Sequence, residues 1–207
     1  RGAHCRPGIL ALLEVASRQP QSVVAADLGF AGGPRINAAG RLEDMSIGIE
    51  CLLCESLATA RAQACRLDQL NQERRVIEQD MQSEAMQILA KLALNEPADT
   101  PIAMTLYQSG WHQGVIGILA SRIKERLHRP TIAFADGDAG ELKGSARSIA
   151  GVHIRDILEA VATRHPGLVT RFGGHAMAAG LTLQREAYAD FAAAFVEEVA
   201  RHAQDVH

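Results

Sequence analysis

The 207-residue sequence has no apolar run approaching the roughly 18 to 20 residues of a membrane-spanning helix. Its opening, RGAHCRPGIL, lacks the charged, apolar and small-residue regions of a signal peptide. The expectation is a cytoplasmic globular chain with no membrane partner. Cysteine is scarce: Cys5, Cys51, Cys54 and Cys65 give one close pair, CLLC, with no second Cys or His pair to complete a zinc site, so reduced core thiols are expected. No cluster of carboxylates and histidines has metal-ligand spacing, and no Ser, His and Asp set marks a nucleophile. Net positive charge is missing as well, since the formal charge is -3, which argues against a uniformly basic nucleic-acid binder. Lysine is scarce too, with only Lys91, Lys124 and Lys143 among 21 basic residues, so arginine supplies the rest. The arginine fork suits phosphate oxygens, although a GC-rich genome would produce the same bias. The chain opens on Arg1 rather than methionine, within what reads as a loop, and is expected to be a piece of a longer protein.

What is present divides at NEPADTP (Asn95 to Pro101), where turn residues concentrate. Before it, PGILALLEVASRQ and QSVVAADLGF read as short amphipathic helices, AGGPRINAAGRLEDMS as a loop or broken helix, and IGIECLLCES as an apolar helix. From Leu57 to about Leu94 there is neither glycine nor proline, and Leu67, Leu70, Ile77, Met81, Ile88 and Leu92 recur at helical intervals, which predicts one long helix or two with a bend. After it, IAMTLY, TIAFAD, ELKGSARSIAG and AAGLTLQ read as strands. They alternate with helices GVIGILASRIKERLH, HIRDILEAVATRH and a closing one from Glu186 to about Ala203. The fold class is therefore α/β: a helical N-terminal segment and long connecting helix followed by a mixed sheet flanked by helices.

Four stretches could carry chemistry. In RFGGHAMAAG, Gly173 and Gly174 allow a backbone cradle for an anion with His175 at its mouth, or simply a tight turn that His175 caps. In KGSARSIAG, Ser145, Arg147 and Ser148 combine hydroxyls with a guanidinium fork at a strand end, suited to a terminal phosphate or to an exposed edge strand. In GPRINAAGRLED, Arg35, Asn37 and Arg41 sit where a phosphate backbone could be gripped, or where Glu43 and Asp44 pair with the arginines. In GWHQGVIGILASR, Trp111, His112 and Gln113 precede a helix start, and Trp111 stacks a base or fills a core. Asp136 and Asp138 in ADGDAGE look like a hairpin turn. Such a chain can grip phosphates but not hydrolyse them by itself.

Taken in order, GPRINAAGRLEDM, LDQLNQERRVIEQDM, GWHQGVIGILASRIKERLHRPTIAF, LKGSARSI and FGGHAMAAG closely resemble the bacterial RecJ exonucleases of the DHH phosphoesterase superfamily, over nearly the whole chain. The resemblance implies a hydrolase degrading single-stranded DNA from its 5′ end in repair and recombination, with proteins of those processes as further partners. It implies two divalent metals, Mg or Mn, held by an Asp- and His-rich N-terminal domain whose motifs the sequence lacks, and no metal ligand in this chain. Residues 1–56 would end the catalytic domain, 57–96 would be a connecting helix, and 97–207 the DHH-associated substrate-binding domain. Carried over by position, Arg147 with Ser145 and Ser148 would hold the 5′ phosphate. His175, on Gly173 and Gly174, would reach toward the scissile phosphate or the metal-bound nucleotide, and Arg35 would contact the backbone around the scissile position. Asn37 and Arg41 would contact the backbone, and Trp111, His112 and Gln113 would line the cleft. Ala146 stands where the family commonly has glycine. Within the superfamily a substrate of short oligonucleotides or a cyclic dinucleotide is the alternative; outside it, a non-catalytic single-strand-binding module.

Overall fold

A computed structural model describes residues 5–95 and 101–205, so most of NEPADTP lies outside the described residues. The chain divides into two compact units, residues 1–77 and 78–207, and the division falls inside a single helix.

The first unit is helical. α1 (Pro7–Val15) starts on a proline preorganised for the first helical turn, and at Gly8 a side chain would collide with the Cys51 carbonyl on the neighbouring helix. α2 (Ala25–Asp27) is a single turn running through a π-turn at Leu28–Gly32 into α3 (Gly33–Leu42). The stretch expected as a loop or broken helix is thus mostly helix: Pro34 sits in its first turn, where a missing N–H costs nothing. α4 (Ser46–Leu53) and α5 (Leu57–Asn95) follow, the latter unbroken for 39 residues. Leu12, Ala38, Ala39, Cys51, Ala60, Ala64, Leu67 and Leu70 form this unit's core. Cys51 alone matches the expected buried thiol, and burial pushes its pKa up; Cys5 and Cys54 are half-buried and Cys65 is exposed.

The second unit is built on a five-stranded mixed sheet in the order β1-β2-β3-β5-β4. β1 (Met104–Tyr107) pairs in parallel with β2 (Thr131–Asp136), as the crossover through α6 (Ile116–Leu127) requires. β3 (Glu141–Arg147), α7 (Ile154–Arg164), β4 (Arg171–Gly174), β5 (Ala178–Gln184) and α8 (Tyr188–Asp205) complete it, every remaining strand pair being antiparallel. One face of the sheet, from Ile132 and Phe134 through Leu142 and Ala146 to Leu181 and Leu183, is sealed by α7 and α8 with Ile154, Leu158, Phe191 and Phe195. The other face is covered by α6 over β2 and β3, while Gly173 and Gly180 on β4 and β5 stay exposed.

Candidate functional site

That uncovered half of the sheet forms a groove of about 410 Å³. Strand periodicity creates it: Leu142, Gly144 and Ala146 turn into the core, leaving Lys143, Ser145 and Arg147 on the opposite face. The register sets Thr182, Gly180 and Ala178 of β5 beside those three residues, and β4 adds Arg171 beside Thr182 and Gly173 beside Gly180. Gln113 and Ile116, at the entry to α6, form the opposite wall.

The floor is informative because nothing local demands it. A side chain at Gly173 would meet no atom within 4 Å, and one at Gly180 would find only the Gly144 carbonyl at 3.9 Å. Neither residue has positive φ. Their missing side chains therefore serve the space above the sheet, where another molecule's backbone can approach closely. Gly174 differs: at φ 150° a Cβ would lie 2.5 Å from the Ala179 Cα, so the local backbone permits only glycine.

Arg147 donates from one guanidinium nitrogen to Ser145 Oγ at 3.0 Å and to the Ala146 carbonyl at 2.8 Å. It rests against α6 at Gly117, where a Cβ would come within 2.8 Å of its other terminal nitrogen and 3.0 Å of Ser145 Oγ. A guanidinium, a hydroxyl and the positive end of a helix dipole thus converge, a combination that favours an anion. At the other end of β3, Lys143 Nζ donates to Glu141 Oε2 at 2.8 Å and to Thr182 Oγ1 at 3.3 Å. The Lys143 hydrogen bond, with added attraction from Lys143 and Arg171, holds the Glu141 carboxyl below its ordinary range. Arg171 is exposed, and no hydrogen bond from its side chain occurs among the described residues.

The structure brings together only some of the residues singled out from sequence. Ser145 and Gln113 line the groove, Gln113 while donating to the Asp136 carbonyl at 2.7 Å, and Arg147 lies on the same face of β3 one alternation past Ser145. Ser148 is corrected: it is 1% exposed and its hydroxyl is spent on the Val152 carbonyl at 2.6 Å, because it falls on the core side of the alternation. Trp111 is corrected too, being 4% exposed with its indole N–H given to Glu84 on α5 at 2.7 Å, an anchor rather than a stacking platform. His112 turns Nδ1 back to accept from the Gly114 amide at 3.0 Å. The expected glycine cradle is a β-hairpin: Gly173 and Gly174 end β4, and the His175 amide donates to the Ala178 carbonyl at 2.8 Å. His175 is exposed at its tip, one residue beyond β4.

In the first unit, Arg35 lies on α3 and donates to Asp68 at 2.7 Å and to the Ala31 carbonyl at 2.6 Å, tying α3 to α5. Asn37 and Arg41 are exposed on the same helix. Glu43, a candidate partner for these arginines, pairs instead with Arg66, while Asp44 accepts from the Ser46 amide.

Sequence reading missed Lys143, Thr182 and Arg171, although counting back two residues from Ser145 and from Gly173 finds the two cations. It also missed Asp136. The expected β2–β3 hairpin is present, yet the Asp136 carboxylate also accepts from Tyr107 Oη at 2.7 Å, Ser109 Oγ at 3.1 Å, the Gly110 amide at 3.3 Å and Arg185 at 2.6 Å. The Tyr107 hydrogen bond leads in holding this carboxyl below its ordinary range, and it pushes the phenol up in return. Among the described residues no three His, Cys, Asp or Glu side chains gather as a metal site would need.

The DHHA1 domain family matches residues 99–201. The single-stranded-DNA-specific exonuclease RecJ of Dickeya dadantii is 56% identical over 200 residues, covering 96% of this chain and 34% of that protein, so the chain spans about a third of the length of its curated relatives. Among solved structures, RecJ from Thermus thermophilus in complex with Mg2+ superposes with a TM-score of 0.78 at 31% identity, covering 94% of this chain and 28% of that one. An exonuclease RecJ bound to manganese gives 0.77 at 32% identity, covering 96% and 46%.

Proposed function

Because this chain belongs to the RecJ family and carries its DHHA1 domain, we propose that it is the strand-holding part of an exonuclease that degrades single-stranded DNA from the 5′ end in repair and recombination. The observation that carries the reading is the meeting of Arg147, Ser145 and the start of α6 above a floor without side chains. A terminal 5′ phosphate offers more negative charge and more acceptor oxygens than an internal phosphodiester, and the guanidinium fork with an adjacent hydroxyl matches it. Holding that terminus fixes how far the strand advances, which is what gives an exonuclease its direction.

His175 sits on the hairpin two strands from Arg147, about 10 Å away at ordinary strand spacing. Its hydrogen-bond partner Ala178 stands opposite Arg147 in the β3–β5 register. In this role its ring donates to a phosphate oxygen one step inside the terminus, where negative charge develops during cleavage. Arg35, Asn37 and Arg41 contact the DNA backbone from the first unit. This reading assigns the divalent metal that would generate the attacking hydroxide to the roughly two thirds of the relatives' length that this chain does not span.

Fluorescence anisotropy of the chain with a short single strand bearing a 5′ phosphate or a 5′ hydroxyl tests the reading, repeated with Arg147→Ala. A preference for the phosphate that disappears in the variant supports it. Equal binding of both ends by the parent chain removes the 5′ pocket from this groove.

A further inference from the structure

The cations that line the groove itself, Lys143 and Arg171, are left unused by the 5′-phosphate reading. Lys143 and Arg147 lie four residues apart on β3, about 13 Å at strand rise, and Arg171 lies two strands over, about 10 Å. The diagonal from Arg147 to Arg171 is therefore on the order of 16 Å, too long for one nucleotide. Between them the floor is Gly173 and Gly180, with Ser145 and Thr182 as the only hydroxyls along the row. The two cations at the far end are not equivalent. Lys143 is held by Glu141 and Thr182, whereas Arg171 extends from the outer strand into the groove rim without a hydrogen bond among the described residues.

We infer that Arg171, with Lys143 and Thr182 beside it, forms a second phosphate-binding position that takes an internal phosphodiester of the same strand, several nucleotides from the 5′ end. This rests on the reading of Arg147 as the 5′-phosphate contact, and it adds the path: the strand crosses β3, β5 and β4 diagonally over the glycine floor. Glu141 acts as a brake on this position, because its carboxylate occupies the Lys143 ammonium and lowers the positive potential that Arg171 presents. The position should not discriminate between ends or bases, since it offers only charge and a hydroxyl to the backbone.

The salt dependence of binding provides the test. For the intact chain with a 5′-phosphorylated oligothymidylate long enough to span both positions, each phosphate contact adds about 0.7 to the slope of log affinity against log salt. Arg171→Gln should lower that slope by about 0.7, weaken binding of the long strand, and leave both the affinity for a 5′-phosphorylated dinucleotide and the preference for a 5′ phosphate unchanged. Arg171→Lys should restore the slope, and Glu141→Gln should tighten binding of the long strand only. A long-strand slope unmoved by Arg171→Gln, with the phosphate preference intact, overturns the second position and leaves the 5′ pocket standing. A parent chain with no dependence on the 5′ phosphate overturns both.

Discussion

At the residue scale, neighbouring glycines on one sheet separate packing from function. Gly144 faces the core, where a Cβ would lie 2.6 Å from both Leu181 Cδ2 and Phe134 Cε1; Gly180, on β5, faces the groove and open space. Gly144→Ala should therefore cost about 1–3 kcal/mol through overpacking, read as a lower denaturation midpoint with an unchanged m-value. Gly180→Ala should leave stability level, or raise it by up to about 1 kcal/mol through a less flexible unfolded chain, and yet weaken binding of a single strand. The same logic divides the two serines. Ser148→Ala removes the donor to the half-buried Val152 carbonyl and should cost about 0.5–1.5 kcal/mol without altering the preference for a 5′ phosphate. Ser145→Ala should reduce that preference while the chain melts as before.

At the scale of elements, the Asp136 carboxylate is what ties the loop between β1 and α6 to the end of β2 and the start of α8. Its partners come from Tyr107, Ser109, Gly110 and Arg185, and its own backbone carbonyl receives the groove-lining Gln113. A carboxyl held below its ordinary value of 3.8 in the fold contributes stability that is present above that value and lost as pH falls through the lower, folded pKa. The melting temperature of the parent chain should thus exceed that of Asp136→Asn at neutral pH, and the gap should close below about pH 4. A gap independent of pH would mean that the carboxylate's charge contributes nothing. This hub was invisible in the sequence because its partners, spread from Tyr107 to Arg185, meet only through strand pairing and the turn before α8. The strands themselves were legible, since TIAFAD is apolar throughout and ELKGSAR alternates, and those patterns reflect burial on two faces or one. The segment around Arg35 differed for the opposite reason. Glycine and proline in AGGPRINAAG suggested a loop, but Pro34 suits a first turn and α3 runs on through Gly40. The hairpin at His175 was half legible, with its tight turn foreseen and the pairing of β4 with β5 not.

At the scale of the whole molecule, the placement of the unit boundary inside α5 decides what must accompany the sheet. Residues 78–90 of that helix supply Glu84 to the buried Trp111 indole and Glu78 to Arg122 on α6. The sequence suggested a later boundary, near residue 97, where asparagine, proline and acidic turn residues gather. A piece beginning there would keep the core formed by Ile132, Phe134, Leu158, Phe191 and Phe195. It would also leave the Trp111 N–H without its acceptor, a loss on the order of 1–3 kcal/mol if water cannot reach it. Residues 78–207 should therefore melt cooperatively and several degrees above residues 97–207, at about 3–5 °C per kcal/mol for a unit of this size. Glu84→Gln in the longer piece should give up only part of that difference, because an amide oxygen still accepts from the indole. Circular dichroism melts of the three proteins decide the point: equal midpoints for the two pieces would mean that α5 contributes nothing to the sheet unit, and that Trp111 is held by its apolar surroundings alone.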